Sequence, residues 1–293
     1  MNIKVRLEDI GYNHNLFFSI SQSDIVYDLK KQIFQKSSCI PLNRMGLYYK
    51  INGKRIELNS NSSNLKNNLP STSQLIIYAY DIGITLPINI ANVIEYSGPI
   101  LTFFIFFIYY QWYLQNQCST ITIISFILST LHYAKRVFES IFVHIHSKTM
   151  QLKMLIIECI YYIGYYGIFC GYFIFTNNKK LNYYTDILGI ILFFVSEFNN
   201  FQCHIILRII RLKSTIDKKI PKGNLFNYIC CANYFWEVCS WISLSVITGL
   251  KCVWGFTIIG FLVMTLWGIE KRKGYLILDK ENCPKKAIIP FVI

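Results

Sequence analysis

Charge is scarce in this chain. Only 15% of its 293 residues are Asp, Glu, Lys or Arg, where a soluble domain carries about a quarter. That shortage argues against an ordinary soluble enzyme. Disorder is excluded by the opposite feature: 53% of residues are hydrophobic and the mean hydropathy is +0.36, enough apolar surface to offset chain entropy. No Gly-x-Gly-x-x-Gly follows a strand, so no Rossmann dinucleotide site is offered. None of the 10 Cys forms a Cys-x-x-Cys pair or a secreted-type framework. Most sit in apolar stretches, as Cys159, Cys170 and Cys239 do, where a thiol behaves as a small hydrophobe. Adjacent Cys230 and Cys231 are too constrained for a structural disulfide, and the cysteines read as reduced packing residues. The first residues alternate polar and apolar, unlike a cleavable signal peptide.

What is present is a series of long apolar runs. Crossing a bilayer takes about 20 residues, and about six runs qualify: 88–114, 120–143, 153–175, 184–207, 227–249 and 252–269. The expected fold is therefore an all-α multi-span helical membrane bundle. A net charge of +13, from 29 Lys+Arg against 16 Asp+Glu, could mark a nucleic-acid binder. With 22 Phe and 21 Tyr in the chain, most of them in the apolar runs, a membrane surface is the better negative partner, and no nucleic-acid partner is expected. With the N-terminus in the cytosol, the six spans leave 16 Lys and Arg in cytosolic segments and 3, Lys179, Lys180 and Lys251, on the other side. This is the positive-inside pattern, with both termini cytosolic.

Residues 1–82 differ in pattern. Ile3, Val5 and Leu7 alternate with polar residues as a half-buried strand does. A turn around Gly11–Asn15 leads to Leu16–Ile20, a hairpin. Ser23 or Asp24 is placed to cap a helix through Val26, Leu29, Ile33 and Phe34. The turn Asn52-Gly53-Lys54 and a last strand from Gln74 to Tyr80 follow. The order strand, strand, helix, strand, turn, strand resembles a small α+β ubiquitin-like β-grasp domain preceding a membrane domain at 83–293. The last strand runs on through Asp81-Ile82-Gly83 without a free diglycine end, so a docking or structural role is expected rather than conjugation.

Polar groups within apolar helices carry the functional signal, because a charge inside a bilayer costs about 2.5–3.5 kcal/mol on insertion scales. Glu95 opens the first span in Glu95-Tyr96-Ser97-Gly98-Pro99. Asn200, His204, Arg208 and Arg211 share one helix stripe. Asn233 and Glu237 lie four apart, with Tyr234 beside them, and His132-Tyr133-Ala134-Lys135-Arg136 ends the second span. These could serve a transporter as a substrate path or an enzyme as an anion site. Plainer roles compete. Lys135 and Arg136 taken alone are interface anchors, and Arg208 and Arg211 divide evenly between anchoring and binding. Tyr133 and Tyr234 could be packing aromatics, and His204 a hydrogen-bonded interior histidine. Glu95 and Glu237 are functional candidates by default. His144-x-His146 could begin a metal site, but no third or fourth ligand is evident, so none is expected.

The ordered set Glu95–Pro99, His132-Tyr133-x-Lys135-Arg136, Phe142-Val143-His144, Asn200–Arg211, Ile220-Pro221, Asn233-Tyr234-x-x-Glu237-x-x-x-Trp241, Tyr275-Leu276 and Ile288–Phe291 resembles the steroid 5α-reductase superfamily. Within it, the very-long-chain trans-2-enoyl-CoA reductases also carry an N-terminal ubiquitin-like domain. The resemblance implies NADPH-dependent reduction of an enoyl thioester, the last step of each fatty-acid elongation cycle in the endoplasmic reticulum. It implies Tyr234 as proton donor, and Tyr133 with Glu95 as the pair that polarises the substrate carbonyl in the steroid branch. The choice of donor between the two tyrosines stays open. Asn200, His204, Arg208, Arg211, Asn233, Glu237 and Tyr275 fall where the superfamily binds NADPH, and Lys135 and Arg136 where phosphates of CoA or cofactor could lie. The expected partners are long-chain trans-2-enoyl-CoA, membrane lipid and other elongation enzymes. A steroid or polyprenol reductase, or a non-enzymatic membrane adaptor displaying a ubiquitin-like module, are the alternatives. Two features depart from the family's pattern: Cys283-Pro284 stands where Tyr-Pro is usual, and Lys271-Arg272-Lys273 precedes Tyr275 without a histidine.

Overall fold

The computed structural model describes residues 2–7, 15–19, 25–51, 53–58, 69, 75–115, 117–145, 149–213, 220–284 and 286–289. The chain divides into two compact units, one of residues 1–86 with 149–152 and one of 87–148 with 153–293.

In the first unit a five-stranded sheet is built from β1 (Asn2–Leu7), β2 (Asn15–Ser19), β3 (Met45–Ile51), β4 (Lys54–Glu57) and β5 (Leu75–Asp81). Their order in the sheet is β2-β1-β5-β3-β4. Within this sheet β1 runs parallel to β5, and β1–β2, β3–β4 and β3–β5 are antiparallel. The period-2 pattern of β1 turns Val5 and Leu7 inward, and the helical spacing of α1 (Val26–Ser37) does the same for Val26, Leu29 and Ile33. All five are buried with Leu47, Ile77 and Ala79 in one aliphatic core. The expected caps Ser23 and Asp24 lie outside the described residues. Ile25 occupies the N-cap position, and its backbone N–H donates to Asp28 Oδ2 at 3.2 Å. Gly53 turns β3 into β4 at a φ of +76°, a conformation glycine adopts without steric cost.

The second unit is helical: α2 (Ile88–Ile108), α3 (Thr120–Phe138), α4 (Leu152–Phe175), α5 (Tyr183–Lys213), α6 (Ala232–Thr248) and α7 (Lys251–Leu278). Among the described residues four helices are long and apolar enough to cross a membrane: Ile88–Tyr113, Leu152–Phe175, Tyr183–Leu212 and Lys251–Leu278. The six spans expected are thus reduced to four on this criterion. α3 and α6 fall short for a physical reason. They carry Ser125, Ser129, His132, Lys135 and Arg136, or Asn233, Glu237, Ser240, Ser243 and Ser245, and α6 is only 17 residues long. All three buried serines of α6, with Ser125, Ser129 and His132 of α3, are withdrawn into the unit's interior.

The middle of α4, Ile160–Cys170, is wound as a π-helix, the wider form that often accompanies functional sites. It turns Tyr161, Tyr162 and Tyr166 toward Trp241 and Phe256. Gly167 lets it approach α2, since a Cβ there would meet Thr102 and the Pro99 backbone. At the end of α6, Lys179 Nζ donates to the Ile247 carbonyl at 2.7 Å and pairs with Asp186 at 2.7 Å. A cation thereby satisfies carbonyls that the helix leaves open.

Candidate active site

Three helices supply a buried lattice of charge. On α5, Glu197, Asn200, His204, Arg208 and Arg211 follow at intervals of three and four, so they share one face. On α3 the facing residues are His132, Lys135, Arg136 and, just beyond the α-helix, Glu139. α6 contributes Asn233, Glu237 and Trp241. His132 sits between two carboxylates, with Nδ1 2.8 Å from Glu197 and Nε2 3.2 Å from Glu237. Such a ring can donate to both only as the imidazolium. Lys135 Nζ reaches Glu197 at 2.7 Å and Asn200 Oδ1 at 2.6 Å. Asn200 in turn donates to the Asn233 carbonyl at 2.9 Å and to Glu237 at 3.2 Å, and the Trp241 indole donates to Glu237 at 3.3 Å. Glu139, fully buried, lies 2.8 Å from Arg136 and 3.0 Å from His204 Nδ1. Each carboxylate therefore faces a cation, which is what makes such charges tolerable away from water.

At one end of this lattice is a cavity of about 160 Å³ lined by Arg136, His144, His204, Arg208, Arg211, Asn233, Tyr234 and Lys271, among others. Arg208 donates to the Val143 carbonyl at 2.9 Å and Arg211 to that of Ile145 at 2.8 Å. These bonds fix the two guanidinium groups at the end of the α3 segment. Lys271 stands 5.7 Å from the Tyr234 ring centre, within cation–π range. Asn233 is buried, and its Oδ1 has no hydrogen-bond partner.

A different environment surrounds Tyr133. Its ring packs among Tyr96, His132, Tyr162, Tyr166 and Trp241, with centroids 5.2–6.4 Å away. It is 1% exposed and its hydroxyl has no hydrogen-bond partner. Glu95 on α2 is likewise buried, with Oε2 unpartnered. Its neighbour Tyr96 accepts from Arg136 at 3.1 Å. A buried polar atom left without a partner calls for an explanation.

Of the residues singled out from sequence, Arg136, His204, Arg208, Arg211, Asn233 and Tyr234 meet around the one cavity. Lys135, Asn200 and Glu237 belong to the ion-pair lattice behind it. Tyr133 and Glu95 are in the interior. Tyr275 packs with Tyr234 against Cys230, Cys231 and Cys283. Sequence reasoning missed Glu139 and Glu197, although helical spacing marked both. Glu139 is four residues beyond Lys135, and Glu197 three before Asn200. The third metal-type ligand absent from the sequence pattern does exist in space: Glu139, His144 and His204 present ligand atoms within 4.8 Å of one another. Arg136 and Lys135 already flank Glu139, and their charge opposes a metal cation there. His146 lies outside the described residues.

Residues 148–293 match the family model described as 3-oxo-5-alpha-steroid 4-dehydrogenase. A probable very-long-chain enoyl-CoA reductase of Caenorhabditis elegans is 34% identical, over 94% of this chain and 93% of that protein. A very-long-chain enoyl-CoA reductase of Dictyostelium discoideum is 31% identical, over 94% of both chains. Human 3-oxo-5-alpha-steroid 4-dehydrogenase 2 is 32% identical over 44% of this chain and 50% of its own length.

Proposed function

The chain belongs to the family of very-long-chain enoyl-CoA reductases, within the steroid 5α-reductase superfamily, and from that premise we propose that it reduces trans-2-enoyl-CoA to saturated acyl-CoA with NADPH. The reaction is then the last step of fatty-acid elongation at the endoplasmic reticulum membrane. One observation carries the reading: Arg136, Arg208, Arg211 and Lys271 converge with Tyr234 on a single cavity. Four cations suit the phosphates of a dinucleotide, bidentately where a guanidinium is free to fork. The unpartnered Asn233 Oδ1 suits a donor such as a carboxamide N–H. A volume of about 160 Å³ matches part of the cofactor, so the rest would extend beyond this cavity. His204 would act beside these groups.

Bound there, the cofactor would supply hydride to the substrate β-carbon. The remaining work falls to this chain's own residues. Negative charge that grows on the thioester oxygen needs a donor already in place. The Tyr133 hydroxyl, unpartnered within an aromatic wall, fits that role, with Glu95 on α2, the helix that packs against α3. Tyr234 would hold the proton destined for the α-carbon, and Arg136 and Arg211 would favour the phenolate left behind. Lys135, Asn200, Glu197 and Glu237 would position α6, and with it Asn233 and Tyr234, rather than touch substrate. The first domain, taken as 1–82, is proposed to be a ubiquitin-like β-grasp, a reading supported by its strand order and by helix α1. It would dock other elongation enzymes. Both termini would face the cytosol, where NADPH and CoA are found.

The test is NADPH oxidation by detergent-purified protein given a long-chain trans-2-enoyl-CoA, a saturated acyl-CoA and an enone steroid side by side. Consumption confined to the enoyl-CoA, with saturated product by mass spectrometry, is expected. Turnover of the steroid alone would move the substrate to the other branch of the superfamily. No turnover and no NADPH binding by folded protein would sink the proposal.

A further inference from the structure

Outside the candidate active site, two cysteines face each other across the fold. Cys230 precedes α6 and Cys283 follows α7, 53 residues apart, yet their Sγ atoms are 4.0 Å from one another. Each Sγ also lies 3.6 Å from the Pro284 carbonyl. Backbone bonds hold the two segments in register: Cys230 N–H donates to the Lys286 carbonyl at 3.0 Å and Cys231 N–H to that of Ala287 at 2.9 Å. Arg272 braces the other side through a 3.2 Å bond to the Pro284 carbonyl. The thiols cannot drift apart without breaking these bonds, and the gap left to close runs from 4.0 Å to a disulfide's roughly 2.05 Å. Access is one-sided. Cys283 lines a cavity of about 530 Å³ with Lys222, Tyr228, Glu281, Asn282 and Lys286, whereas Cys230 is fully buried.

We infer that Cys230 and Cys283 form a reversible dithiol–disulfide couple, a modification site that takes a small anionic disulfide of the glutathione kind. The reagent enters the cavity, where Lys222 and Lys286 complement its carboxylates. The Cys283 thiolate attacks one sulfur of glutathione disulfide, forming a mixed disulfide and releasing one glutathione thiolate. The Cys230 thiolate then attacks the Cys283 sulfur, closes the protein disulfide and expels the second glutathione. Two protein thiols are oxidised, one glutathione disulfide becomes two thiols, and the two protons pass to the released glutathione. The product ties the segment after α7 to the start of α6, which carries Asn233 and Tyr234. Cys231 takes no part, since its neighbour's bond geometry forbids a vicinal pair.

The experiment treats the full-length protein in detergent with glutathione disulfide, blocks remaining thiols with an alkylating agent, and maps every cysteine by peptide mass spectrometry. Exposed Cys39 reports that the reagent is active. The expected result is a Cys230–Cys283 cross-link, lighter by two hydrogens, reversed by dithiothreitol and accompanied by a rise in Tm. Cys230→Ser should instead stop at a glutathione adduct on Cys283, and Cys231→Ser should cross-link as the wild type does. A glutathione adduct on Cys283 of the wild type with Cys230 alkylated would overturn the proposal. So would a Cys231–Cys283 link, or an unmodified Cys283 in protein whose Cys39 has reacted.

Discussion

Tyr133 and Tyr234 belong to the same helical unit and live in opposite surroundings. Tyr133 is enclosed by aromatic rings with its hydroxyl unpartnered. Tyr234 is half-buried at a cavity lined by three arginines and Lys271. The difference teaches a division of labour. A phenol walled in by aromatic rings can lend a hydrogen bond but has no free counter-charge for a phenolate, because the neighbouring His132 is already held by Glu197 and Glu237. A phenol facing cations gives up its proton more readily than one without them, although burial works against the release at Tyr234. The proposed roles of oxygen-binding donor and proton donor follow from that contrast, and substitutions can break it.

The largest effect is expected from Tyr234→Phe, which removes the proton donor and should lower kcat by about 10²–10⁴-fold with NADPH affinity nearly unchanged. Glu139→Ala strikes the lattice instead. It leaves Arg136, Lys135 and His204 without their shared carboxylate and should cost roughly 3–5 kcal/mol of stability, seen as a collapse of Tm in detergent. Tyr133→Phe separates activity from stability. The loss of one preorganised donor should lower kcat by about 10²–10³-fold, while Tm stays level or rises, because a buried unpartnered hydroxyl has been removed. Arg208→Ala should raise KM for NADPH by about tenfold or more and leave kcat close to wild type.

The smallest effect lies in the first unit, where Arg44 pairs with Asp81 at the surface. The hydrogen bond from Arg44, and then the Gly83 N–H, hold the Asp81 carboxyl below its usual range. A depressed carboxyl pKa contributes stability that is full above the unfolded value of about 3.9 and is lost as pH falls through the folded value. Arg44→Ala should therefore speed hydrogen exchange in β3 and β5 slightly at neutral pH. The difference from wild type should fade in acid.

The two units also differ in how far their sequences could be read. β1 and α1 were legible because Val5 and Leu7, or Val26, Leu29 and Ile33, obey strict periods of two and 3.6 against one aliphatic core. The helical unit obscures its periods. α3 and α6 looked like spans by run length, but their serines and charges point inward and remove them from the apolar count. The π-helix at Ile160–Cys170 shifts which tyrosines face Trp241, and no residue pattern announces it. In the site, the Asn200–Arg211 stripe could be seen along one helix. Glu139 and Glu197 gain meaning only when α3 and α5 face each other. Cys283 became a neighbour of Cys230 only through contact between segments 53 residues apart.

The most direct test of the proposed division of labour measures kcat for enoyl-CoA and Kd for NADPH in wild type, Tyr234→Phe and Tyr133→Phe under the same conditions. Both variants should bind NADPH as wild type does and turn over slowly, Tyr234→Phe the slower. Full turnover by Tyr234→Phe, with Tyr133→Phe inactive, would contradict it and assign the proton to the tyrosine in the aromatic wall.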